Sequence, residues 1–186
     1  KDGTELTAML QFAVQSEKIV SIRYPRGGVP PEDGSHITPI EYGKSEVLKK
    51  PLNDQDNIDT LIIAAGSMVW PAFNAAKSLE EHDGLLTSVI NIRFAKPLDM
   101  DTILPLAKRA SHIVVIEEGS KIGGIHAYIL QELTEAIPHP CPPIQSISIP
   151  DQFIEHGSQK ELLSGIEMAN SEQLRLRILQ DCRVRV

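Results

Sequence analysis

Apolar residues recur along this chain in two alternating rhythms. Runs rich in β-branched residues at 60–65 (TLIIAA), 87–92, 112–116 (HIVVI) and 144–149 (IQSISI) predict short buried strands. Between them the period lengthens to that of a helix. Residues 69–81 place Ala72, Ala75, Ala76 and Leu79 on one face, and 124–136 keep Ile125, Ile129, Leu133 and Ile137 in step. Residues 99–110 predict a third helix, with Asp99 as N-cap and Leu98 and Ile103 at the spacing of a hydrophobic staple. Strand and helix alternating at this spacing imply right-handed crossovers and a parallel sheet. A polar-flanked strand at 42–49 (YGKSEVLK) lies a short turn before 60–65, which predicts that these two are antiparallel neighbours. The expected fold is α/β: a three-layer αβα arrangement around a five-stranded, mixed, mostly parallel sheet.

The flanks carry their own signals. Residues 4–15 show a helical stripe of Leu6, Met9, Leu10, Ala13 and Val14, with Thr4 as candidate cap. Residues 18–24 (KIVSIRY) have strand composition. Pro and Gly then crowd 28–39, which reads as a linker. A boundary near residue 40 divides the chain into 1–40 and 41–186. The tail holds a capping box, Ser158-x-x-Glu161, and Asn170 ahead of a helix at 171–181. Pro71 and Pro105 fall near helix starts, so those helices begin later or kink there.

Composition narrows the function classes. The hydrophobic share of 41% supports a core, and scarce aromatics make it aliphatic. A formal net charge of −7 argues against nucleic acid or an anionic membrane as partner, while leaving room for a local cationic site. No apolar run has membrane-spanning length. Cys141 and Cys182 lie far apart without a CxxC and read as reduced thiols of a cytosolic protein. The chain opens at Lys1 rather than Met, which suggests a fragment or a processed product.

The C-terminal ends of parallel strands share one edge, where ligands sit in open α/β sheets. On that edge the chain sets Gly66-Ser67, Arg93, Glu117-Glu118, Pro150-Asp151 and Glu155-His156. Arg93 ends its strand just before a turn, Phe94-Ala95-Lys96-Pro97, that cannot continue it. Arg23 and Arg26 flank Tyr24-Pro25, either as a fork for a phosphate or carboxylate or as surface ion pairs. Gly123-Gly124 opens a helix, either for an anion on free backbone N–H groups or for close packing against the sheet. No GxGxxG, HExxH, nucleophile elbow or Walker loop is present.

Five motifs carry a resemblance: IRYPRG (22–27), PIEYGKSEVL (39–48), NIRFAKPLD (91–99), VVIEEGSKIGG (114–124) and IPDQFIEHGSQKELL (149–163). In this order they resemble the C-terminal part of the 1-deoxy-D-xylulose-5-phosphate synthases, thiamine-diphosphate enzymes of the transketolase family. The β-subunits of 2-oxo-acid dehydrogenases are similar in this domain, and a non-catalytic α/β regulatory module is a third reading. The resemblance implies that 1–40 is the end of a pyrimidine-binding domain plus a linker, and 41–186 a transketolase C-terminal domain. It implies condensation of pyruvate with glyceraldehyde 3-phosphate, releasing CO2, by a cytoplasmic (or plastid) homodimer with thiamine diphosphate and Mg²⁺. The GDG cofactor signature and the catalytic glutamate segment are absent here. The expectation is therefore a segment that holds no cofactor or metal, contributes no catalytic residue and is inactive alone. Two family arginines hold the aldehyde's phosphate, and they map onto Arg23 and Arg93. The family's usual GGFGS is replaced by Gly123-Gly124-Ile125-His126.

Overall fold

The computed structural model describes residues 1–25, 27–28, 38–53, 56–138 and 140–183, with side chains as far as 180. Arg26, most of the expected linker and the Cys182 side chain therefore lie outside the described residues.

Helix α1 (Gly3–Gln15) is followed by β1 (Glu46–Lys49), β2 (Ile58–Ala64), α2 (Val69–Asp83), β3 (Thr87–Asn91) and α3 (Met100–Ala107). Then come β4 (Ala110–Ser120), α4 (Ile125–Ala136), β5 (Ile144–Ile149), α5 (Gln159–Gly165) and α6 (Ser171–Arg183). The strands form one sheet in the order β1-β3-β2-β4-β5. Among the described residues only the β1–β3 pair is antiparallel.

The period of two along each strand builds two cores. Ile62, Ala64, Val89, Val114 and Ile116 face the layer of α2 and α6, where Ala72, Ala75, Ala76, Leu79, Leu174 and Ile178 meet them. Leu61, Ile63, Ile90, Ile113 and Val115 face the opposite layer, with Ile103, Ile129 and Leu133. The small alanine face of α2 lets the helix lie close to the sheet. Central strand β2 is buried on both sides and so reads as a continuous apolar run rather than an alternating one. The three-layer, five-stranded mixed fold is as expected.

Several local expectations are corrected. Strand β1 pairs with β3, not with β2. Both edges of β2 are taken by the apolar parallel strands β3 and β4, so the polar β1 is left the outer position. Residues 18–24 form no strand; Ile19 stands fully exposed and Val20 and Tyr24 are exposed too. Strand composition without a neighbouring strand leaves backbone groups to water. The cap of α1 is Asp2, whose side chain accepts from the Glu5 N–H at 2.8 Å, rather than Thr4. Strand β4 runs from Ala110 to Ser120, past the expected end at 116, and takes in Glu117 and Glu118. Helix α3 stops at Ala107, soon after Pro105 removes an intrahelical donor. Pro71 lies in the first turn of α2, where a missing N–H costs nothing.

The tail matches its signals. Ser158 and Glu161 form the reciprocal capping box of α5. The Asn170 side chain accepts from the Gln173 N–H at 3.0 Å at the start of α6. Leu98 packs on the core cluster that contains Ile103, as a staple requires.

Candidate functional site

The register fixes the height of the sheet's C-terminal edge. Ala64 of β2 is level with Asn91 of β3 and with Ile116 of β4. Arg93, Gly66 and Glu118 each lie two residues beyond that row. Arg93 and Gly66 stand in the turns that leave β3 and β2, and Glu118 is still within β4, so the three share the C-terminal edge of the sheet. Neighbouring strands are roughly 4.8 Å apart, so β3 and β4 stand about 10 Å from each other across β2.

Arg93 turns out of the β3 line with φ +48, a left-handed conformation that an arginine rarely adopts. A short contact between the Phe94 N–H and the Ile92 carbonyl closes the same turn. The bend sends the guanidinium down into the protein: the Arg93 side chain is only 3% exposed. Its Nε donates to Glu5 Oε1 of α1 at 2.8 Å, and Nη2 lies 3.2 Å from Glu46 Oε1 of β1. Nη1 donates to the Pro39 carbonyl and Nη2 to the Thr38 carbonyl, both at 3.3 Å. Asn91 Nδ2 joins the two carboxylates, donating to Glu5 Oε1 at 2.8 Å and to Glu46 Oε2 at 3.2 Å. Lys1 Nζ completes the group, 2.7 Å from Glu46 Oε2.

Burial pushes the Glu5 carboxyl up. The Arg93 guanidinium at 2.8 Å acts the other way. Two charged pairs taken out of water persist here because nearly every donor has an acceptor.

The turn after β3 is tied to the segment before β1. Asp99, at the N-cap of α3, is almost fully buried; its Oδ2 accepts from the Ser45 N–H at 2.8 Å and the Thr102 hydroxyl at 2.7 Å. Its Oδ1 accepts from Lys44 Nζ at 3.2 Å. Burial raises the Asp99 carboxyl, but these donors bring it below the usual range. Gly43, at φ +69, lies against Pro97; a Cβ there would fall 2.7 Å from Pro97 Cγ. That close approach brings the motifs at 39–48 and 91–99 into contact. Phe12 stacks on Tyr42, Phe94 meets both rings edge-on, and the three join α1 to both segments.

Arg23 reaches the same edge from the other side. It is exposed, and its Nη2 donates to the Glu118 carbonyl at 3.4 Å. The Glu118 carboxylate accepts from the Ser67 hydroxyl at 2.6 Å and from Gln159 Nε2 at 3.1 Å. Gln159 in turn lies against Gly27, where a Cβ would fall 2.5 Å from its Oε1. The segment through Arg23 and Gly27 is thus laid over the ends of β4 and α5.

The other sequence candidates fare differently. The N-terminus of α4 holds the chain's own buried Glu117, whose Oε1 accepts from the His126 N–H at 3.1 Å. A Cβ on Gly124 would meet both that carboxylate and the Ser120 carbonyl. Of the two readings of Gly123-Gly124, close packing is therefore what Gly124 serves. Burial lowers His126. Asp151, Glu155 and His156 are exposed, as is Phe153 in the same motif. The Cys141 thiol is free and raised by burial.

Glu5, Glu46 and Asn91 were not singled out from sequence. A signal existed for Glu5: it shares a helical stripe with Met9, Phe12 and Ala13, and a charge on a packed stripe calls for a partner.

Comparison with known proteins agrees with this architecture. The "Transketolase, C-terminal domain" family matches residues 50–170, and the chain belongs to that family. Within it the chain is similar to 1-deoxy-D-xylulose-5-phosphate synthases. That of Thermosynechococcus vestitus is 40% identical over 166 residues, which is 87% of this chain and 24% of that protein. That of Synechococcus sp. strain JA-2-3B'a(2-13) is 38% identical over 191 residues, 100% of this chain and 28% of that protein. The chain thus spans about a quarter of the length of these relatives. Among solved structures, a split gene transketolase in an inactive beta4 tetramer superposes with a TM-score of 0.69 at 26% identity. That match covers 84% of this chain and 48% of the other. A 2-oxoglutarate:ferredoxin oxidoreductase from Magnetococcus marinus, 17% identical over 76% of this chain and 20% of its own, shares the fold at a TM-score of 0.51.

Proposed function

We propose that this chain is the C-terminal portion of a 1-deoxy-D-xylulose-5-phosphate synthase, contributing the grip on the triose phosphate. The observation that carries the reading is that Arg93 follows the end of β3 while the Arg23 guanidinium reaches Glu118 of β4, on the same edge of the sheet. A dianion between these two strand ends would lie beside the Arg23 guanidinium and would reach Arg93 by exchanging with its present partners. A triose phosphate held this way would have its charge neutralised and its aldehyde oriented.

The reaction is the release of CO2 from pyruvate and addition of the remaining two-carbon unit to the aldehyde of glyceraldehyde 3-phosphate. Thiamine diphosphate with Mg²⁺ supplies the decarboxylation chemistry in such enzymes. Among the residues described here no cluster of His, Cys, Asp or Glu is arranged to hold a metal ion. The carboxylates nearest Arg93 are committed to cations and amides. We therefore assign the cofactor and the catalytic groups to the rest of the relatives' length, outside this span. On the same reading residues 1–40 close a pyrimidine-binding domain, and 41–186 make the C-terminal domain. The intact enzyme is a cytoplasmic (or plastid) homodimer, and the segment alone is inactive. No helix among the described residues is long and apolar enough to cross a membrane.

The test uses the full-length gene product. Arg23→Met and Arg93→Met are each expected to raise KM for glyceraldehyde 3-phosphate far more than KM for pyruvate. Unchanged triose-phosphate kinetics in both variants would remove the assignment.

A further inference from the structure

The Arg93 guanidinium is not waiting for a ligand. Four of its contacts are already made, to Glu5, Glu46 and the carbonyls of Thr38 and Pro39, and its side chain is almost wholly buried. Arginine has five N–H donors in a rigid fork. A phosphate cannot take two of them in the usual bidentate manner while these contacts persist.

The charges around it make the same point. Glu5 and Glu46 bring two negative charges against Arg93 and Lys1 Nζ. An incoming dianion would meet a group that its neighbours have already neutralised. Carboxylate and phosphate therefore draw on the same donors.

From this we infer that Glu5 and Glu46 are positioning residues of the Arg93 site. They preset the guanidinium at the sheet edge and set the cost of handing it to a phosphate. The inference rests on the reading of Arg93 as a phosphate ligand. Glu5 has a further consequence, because it belongs to α1 and Arg93 to the turn after β3. Phosphate capture by Arg93 must weaken a tie that holds α1 on the sheet, and the two events oppose each other.

The sign of the effect follows from electrostatics. Replacing Glu5 by glutamine keeps the shape and an acceptor for Nε but removes one negative charge beside the site. With a unit charge a few ångströms away, near a protein surface, anion affinity should rise roughly tenfold or more. A glutamate with only a packing role would not give this rise.

The experiment is titration of the 186-residue chain with inorganic phosphate, followed by ³¹P NMR and by amide hydrogen exchange of α1. Glu5→Gln is expected to bind phosphate about tenfold more tightly than the parent, with Glu46→Gln changing in the same direction. Phosphate should also accelerate exchange in α1 of the parent chain. Arg93→Met, alone or with Glu5→Gln, should abolish the binding. If Glu5→Gln and Glu46→Gln bind no tighter than the parent while Arg93→Met still loses phosphate, the positioning inference fails and the phosphate reading stands. If phosphate binding survives Arg93→Met, or is absent from parent and variants alike, both fail. Glu46→Gln leaves the α1 contact in place, so it decides the matter if Glu5→Gln unfolds.

Discussion

The carboxylate of Glu5 lies 2.8 Å from Nε of Arg93, across 88 positions of sequence, and both side chains are almost completely buried. Helix α1 is therefore fastened to the end of β3 by a charged pair rather than by apolar contact alone. Glu5→Ala leaves the Arg93 charge buried with Glu46 as its remaining carboxylate. The expected loss is about 3 kcal/mol, the lower end for a broken buried pair. Urea unfolding measures it, and the double variant with Arg93→Met should lose less than the sum of the two singles.

The same chemistry makes the chain acid-sensitive. Glu80 and Asp99 both titrate below their ordinary values of 4.5 and 3.8 in the folded protein. For Glu80, burial acts upward, while Lys49 and the Thr87 N–H and hydroxyl more than reverse it. A carboxyl whose folded value is depressed contributes its full stability above the unfolded value. It loses that stability as pH falls through the folded value. Thermal midpoints should thus hold steady down to about pH 5 and drop below it, and Glu80→Gln should flatten part of that drop.

Asp99 is expected to matter more than its neighbour Asp101, although both contact Lys44. Asp99→Ala leaves the half-buried Ser45 N–H without its acceptor and frees the β1 entry from the β3 turn. The cost should be about 1–3 kcal/mol. Asp101 is exposed, and Asp101→Ala should stay within about 0.5 kcal/mol. Equal losses in the two variants would contradict this account of the turn.

Gly124 tests the packing at the α4 start. A Cβ there would fall 2.3 Å from the Ser120 carbonyl and 2.5 Å from Glu117 Oε1. Neither can retreat freely, since one is backbone and the other is bonded to the His126 N–H. Gly124→Ala should cost about 1–3 kcal/mol as an overpacked site. Denaturant midpoints of this variant beside Gly28→Ala, where a Cβ meets nothing within 4 Å, isolate the steric effect.

Periodicity alone carried the layered sheet and the two-faced core, because Ile62 and Ile63 or Val114 and Val115 must point to opposite sides of a strand. The caps at Ser158 and Asn170 were equally legible, since a cap is settled within four residues. Partnership was not legible. Nothing local says that β1 takes the outer edge of β3, or that residues 18–24 lack a strand to pair with.

The stretch from Thr87 to Asp99 shows the division. By itself the sequence determined that it is strand, charged turn and helix entry, because each depends on neighbours a few residues away. It also placed Arg93 on the edge that Glu118 shares. Only the tertiary structure decided that this arginine points inward, at φ +48, toward carboxylates contributed by Glu5 and Glu46. A charge is indifferent to sequence distance: its energy is set by what surrounds it once water is excluded, and that is known only after the chain has folded.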